Sequence, residues 1–363
     1  MIWLMLTMAC SIVPGERSHH RPAGATDSDT PADDTVVAPE PEPNPCPCAA
    51  DYDADAVEWI DADPHLGAVY GSPTRDELVV FMHGSGQKPD NHNNVVATAA
   101  YAGFRVLAVK SKSNPKPLED CFEDYGDQYD ACVNSMSRAR IYGSEYPDFS
   151  EVEDDDSVVA RIHEALVSID GLQPEGGWDA YFVPLTEDAI DHEHFIRWDQ
   201  IIISGFSQGT QKAALMALEQ RMDGVVIMSG PPDDASWVGA GETPICAWWV
   251  MHHTEESWVD YHADNYDILG LEPSDTPILP LPTEVCGDAW PPYDGMHRFS
   301  SSLEAHEDCS SKGPHGSMAN DVCMNTSDGL HGDPYALFRP YLYAYCAAGS
   351  VDADPVTREC NPI

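Results

Sequence analysis

Apolar positions along this chain follow two rhythms. Short unbroken aliphatic runs occur at "ELVVFM" (77–82), "FRVLAVK" (104–110), "QIIIS" (200–204), "GVVIMS" (224–229) and "ICAWWVM" (245–251). Runs of this length predict strands buried on both faces, as in a parallel sheet. Between them "NNVVATAAYAG" (93–103) reads as a small-residue helix. In "SVVARIHEALVSI" (157–169), apolar residues at 158, 159, 162, 165, 166 and 169 keep helical spacing, with Gly171 and Pro174 as the predicted stop. "HRFSSSL" (297–303) is a weaker last strand, and "PYALFRPYLYAYC" (334–346) a closing helix with a proline in its middle. Strand and helix alternate, which predicts an α/β fold with a mostly parallel central sheet, right-handed crossovers and helices on both faces.

Outside this alternation the chain changes character. Residues 1–10, "MIWLMLTMAC", form an apolar run too short to span a bilayer, ending in Ala9-Cys10 as an export or lipoprotein-like signal would. Cys10 is the candidate lipidation site and hence the membrane anchor, although no basic residue precedes the run and Thr7 stands where leucine is usual. Residues 11–50 are rich in Pro, Ala, Asp, Glu, Ser and Thr and read as a disordered acidic tether. One domain is expected over 51–363, with a loop-rich, cysteine-bearing insertion at about 111–156.

Charge narrows the partners. There are 62 Asp and Glu against 18 Lys and Arg, a net charge of −44, which excludes nucleic acid as a partner and fits a solvated surface suited to salt. "EVEDDDS" (151–157) lacks EF-hand spacing and "DHEHF" (191–195) puts His192 and His194 two apart, so no metal is assigned. Eleven cysteines, ten without Cys10, suit disulfides in an oxidising compartment. "CPC" at Cys46 and Cys48 lacks a second ligand pair at zinc spacing and is read the same way.

The chemistry concentrates at "GFSQG" (205–209), with Ser207 between Gly205 and Gly209. The pentapeptide alone is weak; its context is stronger. A strand leading directly in and a small-residue helix leading directly out force the serine into a tight turn with its hydroxyl proud of the sheet. Amides at the helix start then face charge developing on a carbonyl oxygen. Upstream, "VVFMHGSGQ" (79–87) puts His83-Gly84-Ser85-Gly86 after a strand.

Over residues 78–348, these motifs together resemble the α/β-hydrolase superfamily, and the cysteine-bearing insertion is similar to that of secreted bacterial serine esterase-like hydrolases. The resemblance implies acyl transfer through a serine ester at Ser207, without a cofactor. It implies that the amides of Ser85 and Gln208 form the oxyanion hole and that His83 steadies the loop. The acid is expected after the strand two places beyond the nucleophile strand. In "MHHTEESW" (251–258) Glu256 aligns with it, His253 stands where glycine is usual, and Glu255, Asp260, Asp233 and Asp234 are the alternatives. The base is expected after the last strand: His315 in "KGPHGSMAND", with His331 in "DGLHGDPYALF" and then His306 as alternatives. A small-molecule or lipid ester is the expected substrate of this exported or surface-anchored protein. A serine peptidase, or a non-catalytic surface binding protein on the same scaffold, is the competing expectation.

Overall fold

The computed structural model describes residues 47, 51–113, 115–144, 146, 148–150, 152–183, 195–231, 241–271, 297–309, 313–324, 338–349, 352–353 and 360–361. Cys10, the tether, Cys46, Cys48, His192, His194, Asp233, Asp234 and His331 lie outside them.

Eight strands form one sheet: β1 (Val57–Ala62), β2 (His65–Tyr70), β3 (Leu78–Met82), β4 (Arg105–Val109), β5 (Ile201–Phe206), β6 (Gly224–Met228), β7 (Trp248–His253) and β8 (Arg298–Ser301). Their order across the sheet is β1-β2-β4-β3-β5-β6-β7-β8. β2 runs antiparallel to both β1 and β4, and every pairing from β4 to β8 is parallel.

The unbroken aliphatic runs are explained by two packed layers. Every residue of β3, β5, β6 and β7 is buried. Alternate residues serve opposite faces: Val79, Phe81 and Val106 pack with α1 (Asn93–Tyr101) and α8 (Phe338–Ala348), while Val80, Met82, Leu107 and Ile203 pack with α4 (Val158–Leu172) and α5 (Gln208–Glu219). Ser157 caps α4 by accepting from the Ala160 amide, and the helix runs one residue past Gly171 before Pro174. β7 starts at Trp248 because Ile245–Ala247 form a 3-10 turn after Pro244.

Two segments differ from expectation. The β1–β2 hairpin was not read from the sequence, because "VEWIDA" and "HLGAVY" lack a long aliphatic run. The insertion is largely helical: α2 (Pro117–Asp124) and α3 (Tyr129–Tyr142) are joined by the Cys121–Cys132 disulfide, and α3 lies on α5. Cys309 pairs with Cys323, and Cys246 and Cys346 are also disulfide-bonded. Among the described residues no helix is long and apolar enough to cross a membrane.

Candidate active site

Ser207 closes β5 and caps α5, with φ 54° and ψ −123°. A non-glycine residue there costs about 1–3 kcal/mol and persists only when its surroundings over-determine it. They do so through both main-chain groups: the Ser207 amide donates to Met228 O at 3.1 Å, and its carbonyl accepts from Thr210 N at 2.8 Å and Thr210 Oγ1 at 2.5 Å. The flanking glycines are required by contact. A Cβ on Gly205 would lie 2.6 Å from the Gly209 carbonyl carbon, and one on Gly209 would lie 2.7 Å from the Met82 carbonyl carbon and 3.0 Å from His83 O. Since the obstacle is backbone, Gly209→Ala is expected to lower stability by about 1–3 kcal/mol, read as a drop in the urea midpoint.

The HGSG loop abuts this elbow. A Cβ on Gly84 would fall 3.1 Å from Ser207 Cβ, so only glycine lets the strand end approach so closely. His83 is buried with both ring nitrogens engaged: Nδ1 donates to Gly84 O at 2.7 Å and Nε2 accepts from the Ser111 amide at 3.2 Å. Burial, with the Lys212 charge second, pushes its pKa down to about 3, so it is neutral and tied into the loop. Further on, Gly86 N donates to Ser113 Oγ and Gln87 N to Gly84 O, bonds that leave the Ser85 amide out. The Gln208 amide opens α5 and has no intrahelical acceptor.

After β7 the chain turns sharply, and Glu256 points back into the protein with a fully buried side chain. Its Oε2 accepts from His315 Nδ1 at 2.6 Å. Its Oε1 accepts from the His253 amide at 2.9 Å and from His262 Nδ1 at 3.2 Å. Burial raises the Glu256 carboxyl, but the bonds and charges of His262 and His315 outweigh it and hold it well below the usual range. Glu255 and Asp260 are exposed. His253, standing where glycine was expected, does not crowd the carboxylate: its Nε2 donates to Leu303 O at 2.8 Å and its Nδ1 accepts from the Glu255 amide at 3.0 Å.

His315 lies in the short helix α7 (Gly313–Ser317), inside the loop closed by Cys309–Cys323. Its ring packs 4.9 Å, centroid to centroid, from Phe206, the residue before Ser207. The loop is moored to α1, to the turn before it and to α8. His92 Nδ1 donates to Ala319 O at 2.6 Å, Tyr341 OH donates to Met318 O, and Asp321 accepts from the amides of Asn93 and Asn94 at 2.7 and 3.1 Å. His306 instead faces Asp308, at 3.4 Å.

The structure therefore brings Glu256 to His315, and His315 to Phe206, the last residue of β5, next to Ser207. It also brings in a residue that sequence reading passed over, His262. This histidine sits on α6 (Val259–Ile268), whose polar "VDYHADNYDI" lacks a clear apolar stripe.

No protein-family model matches the chain. No curated protein matches it in sequence. Solved structures similar to it include an esterase from the planctomycete Thermogutta terrifontis, at 11% identity and a TM-score of 0.37, covering 80% of this chain and 92% of that one. A thermostable esterase from Pseudomonas putida is 12% identical with a TM-score of 0.34, covering 82% and 83%. A hormone-sensitive lipase from a metagenome library is 12% identical with a TM-score of 0.29, covering 61% and 75%. The chain's own geometry defines the fold: an antiparallel first pair feeds a parallel sheet, β3 and β4 exchange places in the strand order, and a strained serine turn joins β5 to α5. By that strand order and that elbow, the chain has the fold of the α/β-hydrolase superfamily.

Proposed function

We propose that this protein is a serine hydrolase that cleaves carboxylic esters. The observation that carries the reading is the Glu256–His315 bond, with the histidine ring lying against Phe206, the residue that precedes Ser207, at a tilt of 33°. With Nδ1 donating to Glu256, His315 keeps Nε2 free to accept the Ser207 proton as Oγ attacks the ester carbonyl. Amides of Ser85 and Gln208 would stabilise the resulting oxyanion. His315 then returns the proton to the leaving alcohol, and water, deprotonated by His315, releases the acid from Ser207. His253, which stands where glycine is usual, turns toward Leu303 O and leaves the Glu256 carboxylate uncrowded, which supports a catalytic reading over a binding scaffold. Two disulfides support an exported protein, and lipidation at Cys10 remains part of the proposal.

The test is a panel of short and long p-nitrophenyl esters beside peptides, together with a fluorophosphonate probe. Ester turnover and probe labelling are expected. Turnover of peptides alone would make the protein a peptidase, and an unlabelled, inert but folded protein would favour a binding role.

His262 is assigned a positioning role, since it holds the Glu256 oxygen that does not face His315. His262→Leu should lower kcat per probe-titrated site about tenfold and shift the pH profile of kcat/KM while probe labelling persists. An unchanged profile would restrict His262 to packing.

A further inference from the structure

A second polar cluster lies behind the HGSG loop, where α3 crosses α5. Gln211 Nε2 donates to Ser137 Oγ at 3.0 Å. One turn along α3 and one residue along α5 come Arg140 and Lys212, both buried, at 3% and 1% exposure. Lys212 Nζ donates to Ser111 Oγ at 2.6 Å, and Arg140 Nη2 to Lys112 O at 3.2 Å. Among the described residues, Arg140 Nε and Nη1 are buried with no acceptor.

Two buried basic side chains that feel each other's charge are unusual in a chain with 62 acidic residues and 18 basic ones. Neighbouring cations are matched elsewhere: Arg138 with Glu219, and both Lys112 and Arg161 with Asp156. Asp120 attracts Arg140 but spends its Oδ2 on the Lys116 amide at 2.7 Å. Among the described residues no carboxylate bonds to Arg140 or Lys212. Burial pushes the Arg140 pKa down only to about 10, so the guanidinium stays charged at neutral pH. Burial first, then the Arg140 charge and then that of Lys110, presses the Lys212 ammonium well down. A counter-anion would relieve both groups, because a buried charge persists when it is paired and hydrogen-bonded. The free donors are nearly closed to solvent, which selects a small, weakly hydrated monoanion over an oxyanion such as sulfate.

We propose that Arg140 and Lys212 form an internal halide site, chloride in ordinary media, behind the HGSG loop. Ser111 links it to that loop, since its hydroxyl accepts from Lys212 while its amide donates to His83. The occupied site braces the turn that carries Ser85.

The test compares sodium chloride with sodium gluconate at equal ionic strength, which removes general screening of the acidic surface. The thermal midpoint should be about 2–4 °C higher in chloride, in a saturable manner, and Arg140→Met should abolish the difference. A crystal grown in bromide should show an anomalous peak beside the Arg140 guanidinium, a measurement that stands even if the variant fails to fold. Equal midpoints in the two salts, an Arg140→Met protein that still responds to chloride, or bromide density absent from Arg140 would each overturn the proposal.

Discussion

Replacing Ser207 with alanine is expected to lower kcat for ester hydrolysis by roughly 10^4–10^6 and to abolish fluorophosphonate labelling, with far-UV circular dichroism unchanged. The size follows from the serine's place. In the proposed mechanism it alone supplies the atom that becomes covalently attached, and the proposed proton transfer through His315 has no purpose without it. Stability should not fall with activity. The main-chain bonds of Ser207 to Met228 and Thr210 survive the change, because none of them uses the hydroxyl. A variant retaining more than about a hundredth of wild-type kcat would move the nucleophile away from Ser207.

Glu256→Gln should cost on the order of 10^4 in kcat, whereas Glu255→Gln should stay within about twofold. An amide at position 256 offers His315 Nδ1 either a weaker neutral acceptor or a competing donor, so the ring loses the orientation that the proposed mechanism requires. The same pair of variants yields a stability signature. The folded Glu256 carboxyl lies below its unfolded value of about 4.3. Its contribution is therefore fully present above that unfolded pKa and is lost as pH falls toward the folded one. Urea unfolding should show wild type losing more stability between about pH 5 and pH 3 than Glu256→Gln does. Equal kcat losses in the two variants, or parallel pH curves, would displace Glu256 from the role.

What could be read in advance tracks the strength of the local signal. The central strands were legible because burial on both faces leaves no polar position to break an aliphatic run, as in β3 and β5. Ser207 was legible because the strained turn writes itself as two glycines with backbone on either side of them. The β1–β2 hairpin was not, since an antiparallel edge pair tolerates exposed residues such as Glu58 and Trp59. Helices of the insertion were hidden by a polar sequence held by a disulfide. Glu256 and Glu255 differ in the sequence by a single step of register, and only the fold of the turn buries one and exposes the other. His262 was invisible because its meeting with Glu256 depends on where α6 returns after the turn.

The two ends of the proposed proton path are secured by different means. Ser207 is held between the sheet and the first turn of a helix by its main-chain bonds to Met228 and Thr210. His315 rides on a segment whose ends, Cys309 and Cys323, are fastened covalently on either side of it. A reductant that spared the sheet is therefore expected to loosen the proposed base before it disturbs the proposed nucleophile, leaving the bonds of Ala319, Met318 and Asp321 to hold the loop. Activity would then follow thiol chemistry as well as folding.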